Sequence, residues 1–236
     1  MIDLGERFAN RAGLVKICGL REPEHAAAAA AAGADLVGFI FASARRQVSA
    51  EEAKVCVNAA RKAAGNRDVL AVGVFVDAPI AKVNETAHRA GVDLVQLHGS
   101  ETSSFIEALD FPALKVFLPK PSEQPECIAE QIDSYLHAAR PPAAIVVDGF
   151  SERGSGGQGV QVDWESAAVL ANSRPLMLAG GLNPENVARA IAIVRPIGVD
   201  VSSGVERAGV KDPERIHAFI AAARSAFAEI NHDRSP

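Results

Sequence analysis

The chain alternates between two textures. Short apolar, β-branched runs give way to longer, alanine-rich amphipathic stretches. The apolar runs are Val15–Cys18, Leu36–Phe41, Val69–Val76, Leu94–Leu97, Ala113–Leu118, Ala144–Val147, Pro175–Leu178 and Gly198–Val201, eight in all. Near-continuous apolar runs of this length suit strands buried on both faces, as in a parallel sheet covered by helices. The stretches between them carry helix punctuation. Pro23, Pro79, Pro125, Pro184 and Pro213 each fall near a predicted first turn, where proline loses no hydrogen bond. Ser49 before Glu51-Glu52 and Asn183 before Pro184-Glu185 read as N-caps. Gly33, Gly65 and Gly91 suit left-handed positions at helix C-termini.

Eight strand–helix units of about 25 residues predict an α/β fold, a single-domain (β/α)8 TIM barrel. The barrel is expected over residues 14–230, with residues 1–13 as an N-terminal extension. An open doubly wound sheet is the competing topology, but the glycine fingerprint expected after its first strand is absent.

Composition narrows the function. The chain has 236 residues, of which 48% are hydrophobic, enough for one large core. Aromatics make up only 5%, which argues against base-stacking platforms. The net charge is −5 and no basic run exceeds Arg45-Arg46, so no nucleic-acid partner is expected. A local nest of backbone N–H groups can still hold a phosphate in an acidic protein. Three cysteines, Cys18, Cys56 and Cys127, make a poor disulfide framework and fit a reducing compartment. The N-terminal residues lack the pattern of a signal peptide, and no apolar run is long enough to span a bilayer. A cytoplasmic protein without a membrane partner is the expectation.

In a barrel, chemistry gathers at the C-terminal ends of the strands. The first run ends at Cys18, which fits a small buried hydrophobe as well as a base of lowered pKa. Cys56 and Cys127, on predicted helices, take the buried-hydrophobe reading. After the second run come Arg45 and Arg46, either a carboxylate clamp or solvated loop cations. Asp77, after the third run, reads as a cap ahead of Pro79. His98 ends the fourth run and could polarise a substrate oxygen or serve structure alone. Lys115, in the fifth, could point into the barrel or reach solvent. Asp148 follows four apolar residues at the sixth rim, where partial burial would raise its pKa toward that of a general acid. The loop Gly154–Gly159 carries four glycines and can let backbone approach a ligand or close over it. Small-residue turns follow the seventh run (Gly180-Gly181) and the eighth (Ser202-Ser203-Gly204), the usual phosphate site of this fold.

As an ordered set, these segments resemble the phosphoribosylanthranilate isomerase family of tryptophan biosynthesis. The segments are Lys16-Ile17-Cys18-Gly19-Leu20, Gly38-Phe39-Ile40-Phe41, Gln96-Leu97-His98-Gly99, Gly156-Gly157 ahead of Asp163-Trp164, Ala179-Gly180-Gly181-Leu182-Asn183-Pro184, and Asp200-Val201-Ser202-Ser203-Gly204-Val205-Glu206. The resemblance implies an Amadori rearrangement of N-(5-phosphoribosyl)anthranilate to an open-chain 1-deoxyribulose phosphate. It implies a small-molecule substrate, no metal or organic cofactor, and a monomer or homodimer. By that resemblance Cys18 is the general base and Asp148 the general acid. Arg46 is the best match for the arginine that binds the anthranilate carboxylate. Arg45 is the other choice, because the loop after the second run is one residue short of the family's Lys-Ser-Pro-Arg-like stretch. Gln96, His98, Gly157 and Asp200 are further substrate contacts, and Gly180, Gly181, Ser202, Ser203 and Gly204 hold the phosphate. Gln158 stands where the family carries threonine, and Gly149–Arg153 is atypical.

The chemistry is consistent with these roles. A proton from Asp148 would open the furanose ring, and the protonated Schiff base then acidifies the C2 hydrogen for removal by Cys18. Two other functions compete: isomerisation of another phosphorylated aminosugar on the same barrel, and phosphate binding without catalysis. The histidine-pathway isomerase presents an aspartate where this chain has Cys18, and a mere phosphate binder needs neither Cys18 nor Asp148.

Overall fold

A computed structural model of the chain describes residues 13–120, 122–149 and 162–232. Eight strands alternate with eight helices. The strands are β1 (Leu14–Ile17), β2 (Leu36–Ile40), β3 (Leu70–Phe75), β4 (Leu94–Leu97), β5 (Ala113–Phe117), β6 (Ala144–Val147), β7 (Leu176–Leu178) and β8 (Gly198–Val201). The helices are α1 (Pro23–Ala32), α2 (Ala50–Ala64), α3 (Ile80–Ala90), α4 (Ser103–Glu107), α5 (Pro125–Leu136), α6 (Trp164–Ala171), α7 (Val187–Val194) and α8 (Pro213–His232). Each strand pairs in parallel with the next, and β8 returns to β1 with Lys16 opposite Asp200, closing the barrel.

All eight apolar runs are strands, several of them trimmed at the ends. β1 stops at Ile17, so Cys18 is the first residue beyond it, and Val69–Val76 narrows to Leu70–Phe75. The trimmed rim residues leave the ladder as the chain turns into the loops.

Side chains alternate across each strand, and two cores result. Leu14, Leu36, Val72, Leu94, Leu114, Val146 and Met177 fill the barrel interior. The opposite faces, with Val15, Ile17, Val37, Phe39, Val95 and Val199, pack against the helices. Alanine carries much of the helical side: Ala26, Ala29 and Ala30 of α1 and Ala53 and Ala60 of α2 are fully buried. Such small residues let helices approach the sheet closely.

Ser49 caps α2 in a full capping box with Glu52, as its position predicted. Pro23 and Pro125 sit in the first turns of α1 and α5, and Pro213 opens α8. Gly33 and Gly91 take the left-handed C-cap conformation. Four expectations need correction. Asp77 is not the cap of α3; Pro79 is, and the Asp77 carboxylate instead accepts from Ser100 N and Oγ at 2.7 and 2.8 Å. Asn183 caps a separate turn, accepting from Glu185 N and Asn186 N, because α7 starts only at Val187. Gly65 has φ 64° but ψ −121°, outside the left-handed helical region. Cys127 is exposed on α5, whereas Cys56 is buried with its thiol donating to Arg21 O.

One element was not anticipated. After β8 a short 3-10 turn, Ser203–Val205, leads into a hairpin of β9 (Glu206–Arg207) and β10 (Val210–Lys211). Its two connecting residues, Ala208 and Gly209, have φ of 49° and 81°, the pattern of a tight two-residue turn. The hairpin sets Lys211 opposite Glu206. Among the described residues, no helix is long and apolar enough to cross a membrane.

Candidate active site

Period-two alternation delivers polar groups to the barrel mouth. Two steps above the apolar layer, β1 presents Lys16, β4 presents Gln96 and β8 presents Asp200. Two further steps up stand Cys18, His98, Asp148 and Ser202. All of these but Lys16, together with the turns after β2, β7 and β8, line a cavity of about 450 Å³. Its walls include Arg46, Gly180, Gly181, Ser203 and Gly204, with Ile40, Val74, Val76 and Leu182 as apolar surface.

The structure therefore brings together eleven of the twelve residues expected from sequence at this site: Cys18, Arg46, Gln96, His98, Asp148, Gly180, Gly181, Asp200, Ser202, Ser203 and Gly204. The twelfth, Gly157, and the glycine loop around it lie outside the described residues. Arg46 and Arg45 separate clearly. Arg46 lines the cavity, while Arg45 is half exposed and donates to Gly209 O at 2.6 Å.

A buried ion pair underlies the site. Lys16 Nζ donates to Asp200 Oδ2 at 2.7 Å, with side chains 0% and 8% exposed. Burial opposes the Lys16 ammonium, but the charges of Asp200 and Cys18 outweigh it and hold its pKa above the ordinary lysine range. Burial pushes the Cys18 thiol up, and Asp200 adds to this; the Lys16 and Lys211 charges work in the opposite direction. Burial also raises Asp148 to about 6, against a hydrogen bond from Gly149 N to its Oδ1 at 2.7 Å. A buried carboxyl in that range can hold a proton near neutrality and give it up.

His98 stands 3.7 Å from Asp148, Nε2 to Oδ2. Burial, then the Lys16 and Lys115 charges, lower its pKa to about 4, so the ring is neutral at pH 7. Among the described residues, His98 Nε2, Gln96 Oε1 and Asp200 Oδ1 are buried without hydrogen-bond partners. Unsatisfied buried polar atoms in a cavity wall are groups for a ligand to satisfy.

The turns after β7 and β8 interlock. Gly180 and Gly181 have φ of 85° and 65°, and among the described residues their N–H groups have no protein acceptor. A Cβ at Gly204 would lie 1.8 Å from Leu182 O, so only glycine lets the two turns touch. The result is a concave patch of small residues and free backbone donors, suited to an anion.

Sequence reading missed the supports of this site. Lys115 is buried, donating to Gly99 O at 2.6 Å and Glu101 Oε2 at 2.9 Å. Glu101 also accepts from Asp77 N and Gly99 N, which ties the loops after β3 and β4 to β5. Lys211 is likewise buried, its pKa pulled down to about 8 by burial, and its Nζ donates to Ser202 O at 2.7 Å. The signal for Lys16 was present: it lies two positions before Cys18, on the same strand face. For Glu101 and Lys211, which lie in loop and hairpin, no periodic signal exists.

Comparison with known proteins follows the same outline. Residues 15–222 match the family model described as N-(5'-phosphoribosyl)anthranilate (PRA) isomerase. A curated N-(5'-phosphoribosyl)anthranilate isomerase of Roseiflexus castenholzii is 46% identical over 215 residues, covering 90% of this chain and 99% of that protein. The crystal structure of phosphoribosyl anthranilate isomerase from Thermus thermophilus superposes with a TM-score of 0.74 at 34% identity, covering 90% of this chain and 98% of that one. A further structure, 33% identical with a TM-score of 0.73 and the same coverage, is a phosphoribosyl anthranilate isomerase in complex with reduced 1-(o-carboxyphenylamino)-1-deoxyribulose 5-phosphate.

Proposed function

The chain belongs to the N-(5'-phosphoribosyl)anthranilate isomerase family, and from that premise we propose that Cys18 and Asp148 carry out its Amadori rearrangement as base and acid. The enzyme is an aldose–ketose isomerase of tryptophan biosynthesis. One observation carries the assignment of roles: Cys18 and Asp148 line the same cavity as the anion-binding turns after β7 and β8.

The phosphate rests on Gly180, Gly181, Ser202, Ser203 and Gly204, and Arg46 meets the anthranilate carboxylate with its fork of donors. Asp148 gives its proton to the ring oxygen as the C1–O bond breaks, leaving an open-chain protonated Schiff base. The cationic nitrogen draws electrons from C2, and the Cys18 thiolate takes the C2 proton. The C2 electron pair becomes the C1–C2 double bond of an enolamine, which tautomerises to the ketone. The substrate's own nitrogen is the electron sink. Lys16 offsets the thiolate's charge, and neutral His98 holds a substrate oxygen or the Asp148 carboxyl. Gln96 and Asp200 turn their unpartnered oxygens to the sugar hydroxyls, and Gly157 is the further substrate contact that the family pattern implies. All these groups belong to one chain, which fits a monomer as well as a homodimer. The free thiols support a cytoplasmic setting.

Cys18→Ala and Asp148→Asn test the assignment. Each should lower kcat for phosphoribosylanthranilate by at least about a hundredfold while the far-ultraviolet circular dichroism stays unchanged. Near-native turnover in either variant would remove that residue from its role. Complementation of a tryptophan auxotroph lacking this isomerase tests the substrate: soluble protein without growth would point to a different aminosugar.

A further inference from the structure

Outside the acid–base pair, three cations converge on one carboxylate. Arg46 donates to Glu206 twice, Nε to Oε1 at 2.5 Å and Nη2 to Oε2 at 3.1 Å. Arg45 Nη2 reaches Oε2 at 2.8 Å, and Lys211 Nζ reaches Oε1 at 3.2 Å. The Glu206 side chain is only 6% exposed. Burial alone would push its carboxyl up; the hydrogen bond from Arg46, the Lys211 charge and Arg45 outweigh that and hold it down at about 2. Glu206 is therefore an anion at any working pH.

Its position is fixed from below. Lys211 Nζ also donates to Ser202 O at 2.7 Å, and the β9–β10 register keeps Lys211 opposite Glu206. The carboxylate is thus tied to the backbone of the turn after β8. Packing holds Arg46 as well: a Cβ on Gly19 would lie 2.7 Å from Arg46 Cδ, so the missing side chain makes room for the arginine stem.

A guanidinium carries five N–H donors in a planar fork. Glu206 occupies the Nε edge of Arg46. Among the described residues, the Nη1 group has no partner, and Arg46 is a wall of the cavity. We propose that Glu206 is a positioning residue for carboxylate recognition, gripping one edge of Arg46 so that the other is a preset fork for the substrate's carboxylate. The inference rests on the isomerase reading and names the group that sets its selectivity. An arginine held this way loses less freedom when it binds, which is how a second partner improves affinity without touching the ligand. The same carboxylate is anchored through Lys211 to Ser202, so the subsites for the substrate's two anionic ends share one support.

The test compares two substrates, phosphoribosylanthranilate and the phosphoribosyl adduct of aniline, which lacks the carboxylate. Wild-type turnover of the first tests the isomerase reading by itself. The ratio of kcat/KM between the two tests Glu206. In Glu206→Gln the ratio should fall about tenfold, mainly through KM for the carboxylated substrate. Arg46→Ala should lower it at least as far, and the double variant should fall no further than Arg46→Ala alone, because the two residues act in series. Glu206→Asp retains the charge but retracts it by one methylene, and serves if the glutamine variant folds poorly; a smaller drop in the same direction is expected. An unchanged ratio in a folded Glu206 variant, with both substrates slowed equally, would overturn the proposal, as would additive losses in the double variant. No wild-type turnover of phosphoribosylanthranilate would instead overturn the isomerase reading.

Discussion

Lys16 and Asp200 face each other across the β1–β8 seam that closes the barrel, Nζ to Oδ2 at 2.7 Å, directly beneath Cys18 and Ser202. Removing one member of such a pair strands the other charge. Lys16→Met is expected to destabilise the fold by about 3 kcal/mol, read from urea denaturation at pH 7. Adding Asp200→Asn to that variant should restore much of the loss, since the stranded carboxylate is gone. A Lys16→Met protein as stable as wild type would show that the pair contributes nothing at the seam.

The acid and base have pKa values set in the reverse of the order their roles suggest. Asp148 sits at about 6, and the Cys18 thiol lies above its ordinary value of 9.0. The productive form, protonated acid with thiolate base, is then a minor species whose fraction is constant between the two values. It shrinks below about 6, where the thiolate is lost with no compensating gain of acid, and above the thiol pKa, where the acid is lost. The expected kcat/KM profile is flat-topped, with an acid limb near 6 and an alkaline limb above 9.0. An alkaline limb below the ordinary thiol value, in a substrate that does not titrate there, would contradict a buried, high-pKa Cys18.

Asp148 also costs stability where it serves catalysis. Its folded pKa, about 6, lies above the reference value of 3.8, so the folded state holds the proton more tightly than the unfolded chain. Its favourable contribution is complete below 3.8 and is lost as pH rises through about 6. Asp148→Asn should therefore be more stable than wild type at pH 8 by on the order of 2 kcal/mol, with the advantage shrinking toward pH 4. Equal differences at both pH values would assign the effect to packing rather than charge.

What the sequence made legible follows from period. Strands buried on both faces must be apolar, so the eight runs stand out, and closure of eight such units is the barrel. Rim positions follow from where each run stops, which brought Cys18, His98, Asp148 and Ser202 into view. Lys16 was harder, because a lysine inside an apolar run is read as tolerated rather than as a barrel charge until Asp200 is known to face it. Glu101 and Lys211 could not be read at all. Their burial is decided by loops and by a two-residue hairpin turn, whose partners lie in the tertiary fold and not along the chain. Asp77 shows the same limit: a good cap by local rule, it serves Ser100 on the neighbouring loop.

Gly38 gives the sharpest test of how closely the base is held. It lies on the inward face of β2, where a Cβ would come 2.8 Å from Cys18 Sγ and 3.1 Å from Cys18 Cα. The contact with sulfur is closer than any carbon can sit and that with Cα is merely tight, so Gly38→Ala must displace the thiol. Its backbone is ordinary strand, without the positive φ that makes other glycines here irreplaceable, so the barrel should still form. The expected loss of stability is about 1–3 kcal/mol, the usual cost of an extra carbon in a packed interior. The expected loss of kcat is far larger for its size, about a hundredfold, because a misplaced base no longer meets the C2 hydrogen. KM should change little, since the groups proposed to bind phosphate and carboxylate lie elsewhere in the cavity. A cycle with Cys18→Ala separates the two effects. With the sulfur gone, Gly38→Ala should cost much less stability and no further activity. A Gly38→Ala enzyme with native kcat would mean that the thiol has room to spare, and that its placement is not what this glycine secures.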